Sequence, residues 1–240
     1  MNPTKGPFHF LHIGKTGGSA IKHALSTSGR SDISLHGHEV TLADVPKGER
    51  VFFFVRDPIS RFVSGFNSRM RKGRPLRDNE WKPNEARAFN MFHSPNALAV
   101  ALSSTNKLEN EAAVAAMNAI NHVRYSLWYW LDTSDELHRR RGDILFIGQQ
   151  ERLDEDVSVL ARHLGLHDLK LPDGDIAAHR TPPHMDQMLT PVAVTNLREW
   201  YADDYSALAH CRDIALQKQF GGSLCAVAPP SIQNNTPVSQ

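Results

Sequence analysis

Residues 8–25, FHFLHIGKTGGSAIKHAL, carry a short apolar run into a Lys-Thr-Gly-Gly-Ser turn that opens into a helical pattern. A strand, a glycine turn and a helix in that order make an anion cradle. Glycines let the backbone approach an anion, the first helical amides aim the positive end of the dipole at it, and Lys15 adds a full charge. Gly14-Lys15-Thr16 reads like the end of the G-x-x-x-x-G-K-[ST] loop of ATP and GTP sites. The place of that motif's first glycine is His9, however, and the glycines here follow the lysine. The long wrap around a triphosphate is missing.

Residues 51–66, VFFFVRDPISRFVSGF, repeat the strand-to-helix pattern. The unbroken apolar run 51–55 fits a parallel strand covered on both faces. Asp57 is placed to cap a helix whose first residue is Pro58, and Ile59, Phe62, Val63 and Phe66 make one apolar face. Arg56 falls at the carboxyl end of the strand, where open α/β sheets bind ligands, and Ser64 lies two turns along the helix. An arginine fork and a hydroxyl suit a second phosphate.

Two anion sites in this order resemble the PAPS-dependent sulfotransferases, particularly the carbohydrate enzymes related to the heparan sulfate 2-O group. HIGKTGGSA at 12–20 resembles the family's 5′-phosphosulfate motif, and RDPISRFVSGF at 56–66 its 3′-phosphate motif. His36-Gly37-His38 is similar to the H-G-H that carries the catalytic base of the 2-O group. Residues 144–166 resemble the family's strand and acidic helix, and 179–182, His-Arg-Thr-Pro, a late cofactor loop. Two positions depart from the pattern: Gly14 stands where proline is usual, and Ala20 where a hydroxyl is common.

The resemblance implies a three-layer α/β fold, a mainly parallel sheet with helices on both faces, of the P-loop-like sulfotransferase type. It implies PAPS as donor, PAP as product and a hydroxyl acceptor, a glycan or glycoconjugate. The amides of Thr16, Gly17 and Gly18 with the Ser19 hydroxyl would hold the 5′-phosphate. Arg56 and Ser64 would hold the 3′-phosphate, and Arg180 and Thr181 would close over the donor. Sulfuryl transfer builds negative charge on the leaving oxygen, which suits Lys15, and needs a base for the acceptor hydroxyl. His38 is the candidate base, with His36 as support. No cysteine or carboxylate cluster accompanies the histidines, so no metal is expected. Each motif alone also reads as a turn, a helix start or surface histidines. A P-loop-type kinase using ATP and Mg²⁺, and a catalytically degenerate PAP- or glycan-binding protein, remain open alternatives.

At 240 residues with 40% hydrophobic content, the chain can bury one sizeable core, expected as a single domain over 1–225 with a disordered tail at 226–240. A net charge of +1 gives no global pull toward nucleic acid or anionic membrane. Two cysteines, Cys211 and Cys225, make no disulfide framework, and no run reaches the ~20 apolar residues of a membrane span. A cytoplasmic location and a reduced interior are the simplest expectations; oligomeric state is not legible.

Elsewhere, 69–95 reads as irregular, its many basic residues either meeting an acidic acceptor or merely solvated. Residues 109–131 read as one helix ending in core aromatics, 144–147 as a buried strand, and 153–164 as a helix stopped by Gly165. Thr190-Pro191 caps a last helix reaching about 216.

Overall fold

The computed structural model describes residues 6–75, 77–167, 169–173 and 187–221. Among them, β1 (Phe8–Phe10), β2 (Ile33–Leu35), β3 (Arg50–Val55) and β4 (Ile144–Gln149) form an all-parallel sheet in the order β2-β1-β3-β4. Helix α1 (Gly18–Ser26) links β1 to β2. Between β3 and β4 run α2 (Pro58–Met70), α3 (Pro83–Met91), α4 (Pro95–Ala101), α5 (Lys107–Ala119), α6 (Trp128–Leu131) and α7 (Ser134–Arg139). After β4 come α8 (Leu153–Leu164), α9 (Pro191–Trp200) and α10 (Ala202–Gly221).

Side chains alternate across a strand, so the apolar run of β3 feeds two cores. Phe52 and Phe54 pack with Phe8, Phe10, α1 and α8, whereas Val51, Phe53 and Val55 pack with α6, α7 and α10. A third core joins α2 to α5 and α9. Phe52, Phe53 and Phe54 are fully buried, each worth about 1.5–3 kcal/mol of apolar transfer. This is the expected α/β sandwich. With β2 on one side of β1 and β3 on the other, strand direction of travel reverses between β1 and β3, and the crevice at their carboxyl ends is where such sheets bind ligands.

Local signals set the ends of the elements. The Asp57 carboxylate accepts from the Ser60 amide at 2.9 Å with Pro58 as first helical residue, and α8 stops at Gly165 in the left-handed region, φ +69°.

Three expectations change. The helix expected over 109–131 ends at Ala119, because the buried Glu85 carboxylate accepts the Asn121 amide at 2.9 Å and His122 turns to φ +66°. The stretch 69–95 is irregular at 71–75 and 77–82, but α2 continues to Met70, and Pro83 and Pro95 open α3 and α4 as first-turn residues instead of marking loops. The last helix divides at Tyr201, whose buried hydroxyl donates to Val123 O at 3.1 Å. The tail 226–240 and Cys225 lie outside the described residues. No helix among the described residues is long and apolar enough to cross a membrane.

Candidate functional site

The turn after β1 leaves its backbone donors free. Among the described residues, the amides of Lys15, Thr16, Gly17, Gly18 and Ser19 donate to no acceptor. Gly17, at φ +85°, is the residue before α1, and a Cβ there would lie 2.9 Å from Leu153. A Cβ on Gly18 would meet the His12 ring at 2.1 Å, so only glycine fits. Thr16 is buried and its hydroxyl donates to Ile13 O at 2.9 Å, leaving only its amide for a ligand. Ala20 is buried in the helix interior, so the side chain at that position does not reach the cradle. Burial, then Arg71 and Arg56, push the Lys15 ammonium down to about 7. Five undonated amides, a helix N-terminus and three cations make a site for an anion.

Across the turn, Arg56 follows β3. Its Nη1 donates to Lys15 O at 3.3 Å, and its Nε is buried with no partner among the described residues. Arg56, Ile59, Ser60, Val63, Ser64, Gln187 and Leu189 line a pocket of about 240 Å³, which brings the sequence-predicted Arg56 and Ser64 together and adds the Ser60 hydroxyl. The nearby Asp57 is occupied, capping α2 and accepting Tyr205 Oη at 3.0 Å, and Glu151 accepts the Asp57 amide at 2.8 Å.

His38 faces the same edge. Its Nδ1 lies 3.1 Å from His12 O, and a carbonyl only accepts, so Nδ1 carries the proton and Nε2 the lone pair. No described residue occupies that Nε2, and it is not buried. Trp130 Nε1 donates to His38 O at 2.8 Å, fixing the loop, and the ring lies against His12 with centroids 3.9 Å apart. Burial lowers His38 below the usual imidazole value, opposed by the bond to His12, and Lys22, Lys15 and Arg77 add to the lowering. His38 is neutral at pH 7. His36 instead joins Nε2 to His9 Nδ1 at 2.8 Å.

Several site residues gave no sequence signal. His12 is driven to about 2 by burial and then His38, so it stays neutral. His122 is also held well below the ordinary value, by burial and then Lys15, and meets His38 edge-on at 5.7 Å. It arrives from the turn that interrupts the expected 109–131 helix. Of the basic residues in 69–95, Arg69 is sequestered in a buried bidentate pair with Glu85 at 2.8 Å, and Lys72 and Arg74 pair with Glu80 and Asp78. Arg71 and Arg77 contribute instead to the field at Lys15 and His38. Arg180 and Thr181 lie outside the described residues.

The geometry joins a phosphate-type cradle, a second cationic pocket and an open neutral imidazole. A family model described as the sulfotransferase family matches residues 1–209. No curated protein and no solved structure matches the chain.

Proposed function

The chain belongs to the sulfotransferase family, and on that premise we propose that it moves a sulfuryl group from PAPS to a hydroxyl of a carbohydrate acceptor. Bound PAPS supplies a sulfuryl group activated by its link to phosphate. The chain supplies two grips on the donor's phosphates and a base for the acceptor. The free amides of Thr16, Gly17 and Gly18, with the Ser19 hydroxyl, bind the 5′-phosphate. Arg56, with its unpartnered Nε, and Ser64 bind the 3′-phosphate, the group that separates this donor from ATP. Lys15 stabilises charge building on the leaving oxygen, and an incoming anion restores its proton by opposing the repulsion from Arg71 and Arg56. His38 Nε2 takes the acceptor proton, its other nitrogen anchored on His12 O at 3.1 Å. Lys22 and Arg77 beside His38 favour an acceptor carrying negative charge.

The observation that carries this reading is the meeting, at one strand edge, of undonated amides and a desolvated cation with an imidazole whose basic nitrogen is open. Calorimetric titration with adenosine 3′,5′-bisphosphate against ATP, with and without Mg²⁺, tests the donor. Preference for ATP with Mg²⁺ refutes it. Tight bisphosphate binding without transfer to any acceptor refutes the enzyme and leaves a binding protein.

A further inference from the structure

A second histidine chain runs away from this edge. His36, just beyond β2, places Nε2 2.8 Å from Nδ1 of His9 on β1, and Nε2 of His9 lies 2.5 Å from the Glu49 carboxylate. The two rings are within 5° of parallel with centroids 5.1 Å apart, the spacing of rings joined edge to edge through that bond. His9 is buried at 7% exposure, whereas Glu49 is partly open to solvent. Both nitrogens of His9 are used, which rules out a metal ligand there. Nδ1 of His36 has no partner among the described residues and is not buried.

With Glu49 ionised, donor and acceptor rules allow this chain a resting arrangement and one that stores a proton on His9. In the first, Glu49 is ionised and accepts from His9 Nε2–H, His9 Nδ1 accepts from His36 Nε2–H, and His36 Nδ1 holds a lone pair. In the second, an added proton sits on His36 Nδ1, the His36 Nε2 proton has moved to His9 Nδ1, and His9 is an imidazolium donating to both neighbours. The second holds one proton more than the first and is reached by one shift along the His36–His9 bond.

We propose that His36, His9 and Glu49 form a proton relay that clears the acceptor's proton from the sulfuryl-transfer site. The inference rests on the sulfotransferase reading above. In each turnover the acceptor O–H bond breaks, an O–S bond forms as the donor's S–O bond breaks, and one proton is left on His38 Nε2. His38 cannot pass it through Nδ1, because His12 O accepts a hydrogen bond but no proton. Solvent carries it to His36 Nδ1, the His36 Nε2 proton shifts to His9, and the charge rests beside Glu49; once product leaves, His36 Nδ1 gives its proton to solvent and the His9 Nδ1 proton returns to His36 Nε2, restoring the first arrangement. Around His36, Lys22 of α1 and His9 of β1 disfavour a resident charge, as burial does first, while Asp44 and Glu39 favour it. The Glu49 carboxylate lies against His9, which draws the proton past His36. His9 and Glu49 act through His36 and are positioning residues.

Glu49→Gln keeps an acceptor for His9 Nε2–H but removes the charge that balances the imidazolium. It should lower kcat, a loss that added imidazole buffer should partly restore by carrying the proton in place of the relay, and leave affinity for adenosine 3′,5′-bisphosphate unchanged. In the wild-type chain, nitrogen-15 NMR of the ring should show His36 protonated at Nε2 and His38 at Nδ1. His36 protonated at Nδ1 in the resting protein, or an unaltered kcat in Glu49→Gln, or a loss that imidazole buffer does not restore, overturns the relay. The NMR result stands even where the variant does not fold. Failure of the wild-type chain to bind the bisphosphate would instead overturn the donor reading.

Discussion

Lys15→Met should stabilise the unliganded protein while abolishing turnover. The Lys15 ammonium falls from an ordinary 10.5 to about 7, through burial first and then Arg71 and Arg56. At about 1.4 kcal/mol per pH unit, that drop corresponds to a cost of about 5 kcal/mol for holding the charge in the empty site. The unfolded chain keeps Lys15 protonated up to 10.5 and the folded chain only to about 7. Unfolding thus takes up a proton between these values, so this group makes stability rise with pH across that window and leaves it flat below. Methionine keeps the aliphatic shape without the charge. With about half the cost surviving relaxation and water entry, near pH 7 the variant gains roughly 2 kcal/mol, or about 4–8 °C in Tm for a chain of this size. Thermal unfolding of both proteins from pH 6 to 10 tests this: the gap should be constant below pH 7 and close as pH 10 is approached. Adenosine 3′,5′-bisphosphate should raise the wild-type Tm more than the variant's. A variant melting at or below the wild type throughout, or a gap that widens with pH, would refute the reasoning.

His38→Ala should cut kcat by about 10²–10⁴-fold and leave bisphosphate affinity intact by calorimetry. The wild-type acidic limb should lie below pH 6.5, because burial lowers His38, and should be absent in the variant's residual rate. Ser64→Ala should weaken the 3′,5′-bisphosphate by about 1 kcal/mol while leaving adenosine 5′-phosphate unchanged; equal losses would remove Ser64 from the 3′-phosphate site. Gly18→Ala drives a methyl to 2.1 Å from the His12 ring, so it should lower stability by about 1–3 kcal/mol and depress kcat through the His12–His38 contact. Asp204→Ala strands the buried Arg61, now paired at 2.9 Å. It should destabilise by about 3–5 kcal/mol in denaturant titration.

The anion turn and the Arg56 segment were legible because their signals are local. A glycine with nowhere to put a Cβ, a capped helix start and an unbroken apolar strand show in the residues themselves. Arg56 and Ser64 could be paired in advance because Ser64 shares a helix face with Ser60, one turn nearer the strand end, and that face lines one pocket with Arg56. The helix over 109–131 was misread for the opposite reason. Its alanines favour helix as far as Ala119, the apolar and aromatic residues beyond keep the pattern going, and the break comes from Glu85, far away in sequence, capturing the Asn121 amide. The prolines of 69–95 suggested a loop, yet at first-turn positions a missing amide costs nothing and they open helices.

By itself the sequence determined the layered α/β architecture and marked Lys15, Arg56, Ser64 and His38 as candidates, since each reading depends on backbone periodicity and local chemistry. Only the tertiary structure decided which histidines meet them. His12 under His38, His122 at its edge and the Glu49–His9–His36 chain join residues up to 84 positions apart, and no periodicity encodes such a meeting. It also decided which charges act. Arg69 looks like Arg71 and Arg77 in sequence, but it is buried against Glu85 and bears on His122, while Arg71 acts on Lys15 and Arg77 on His38.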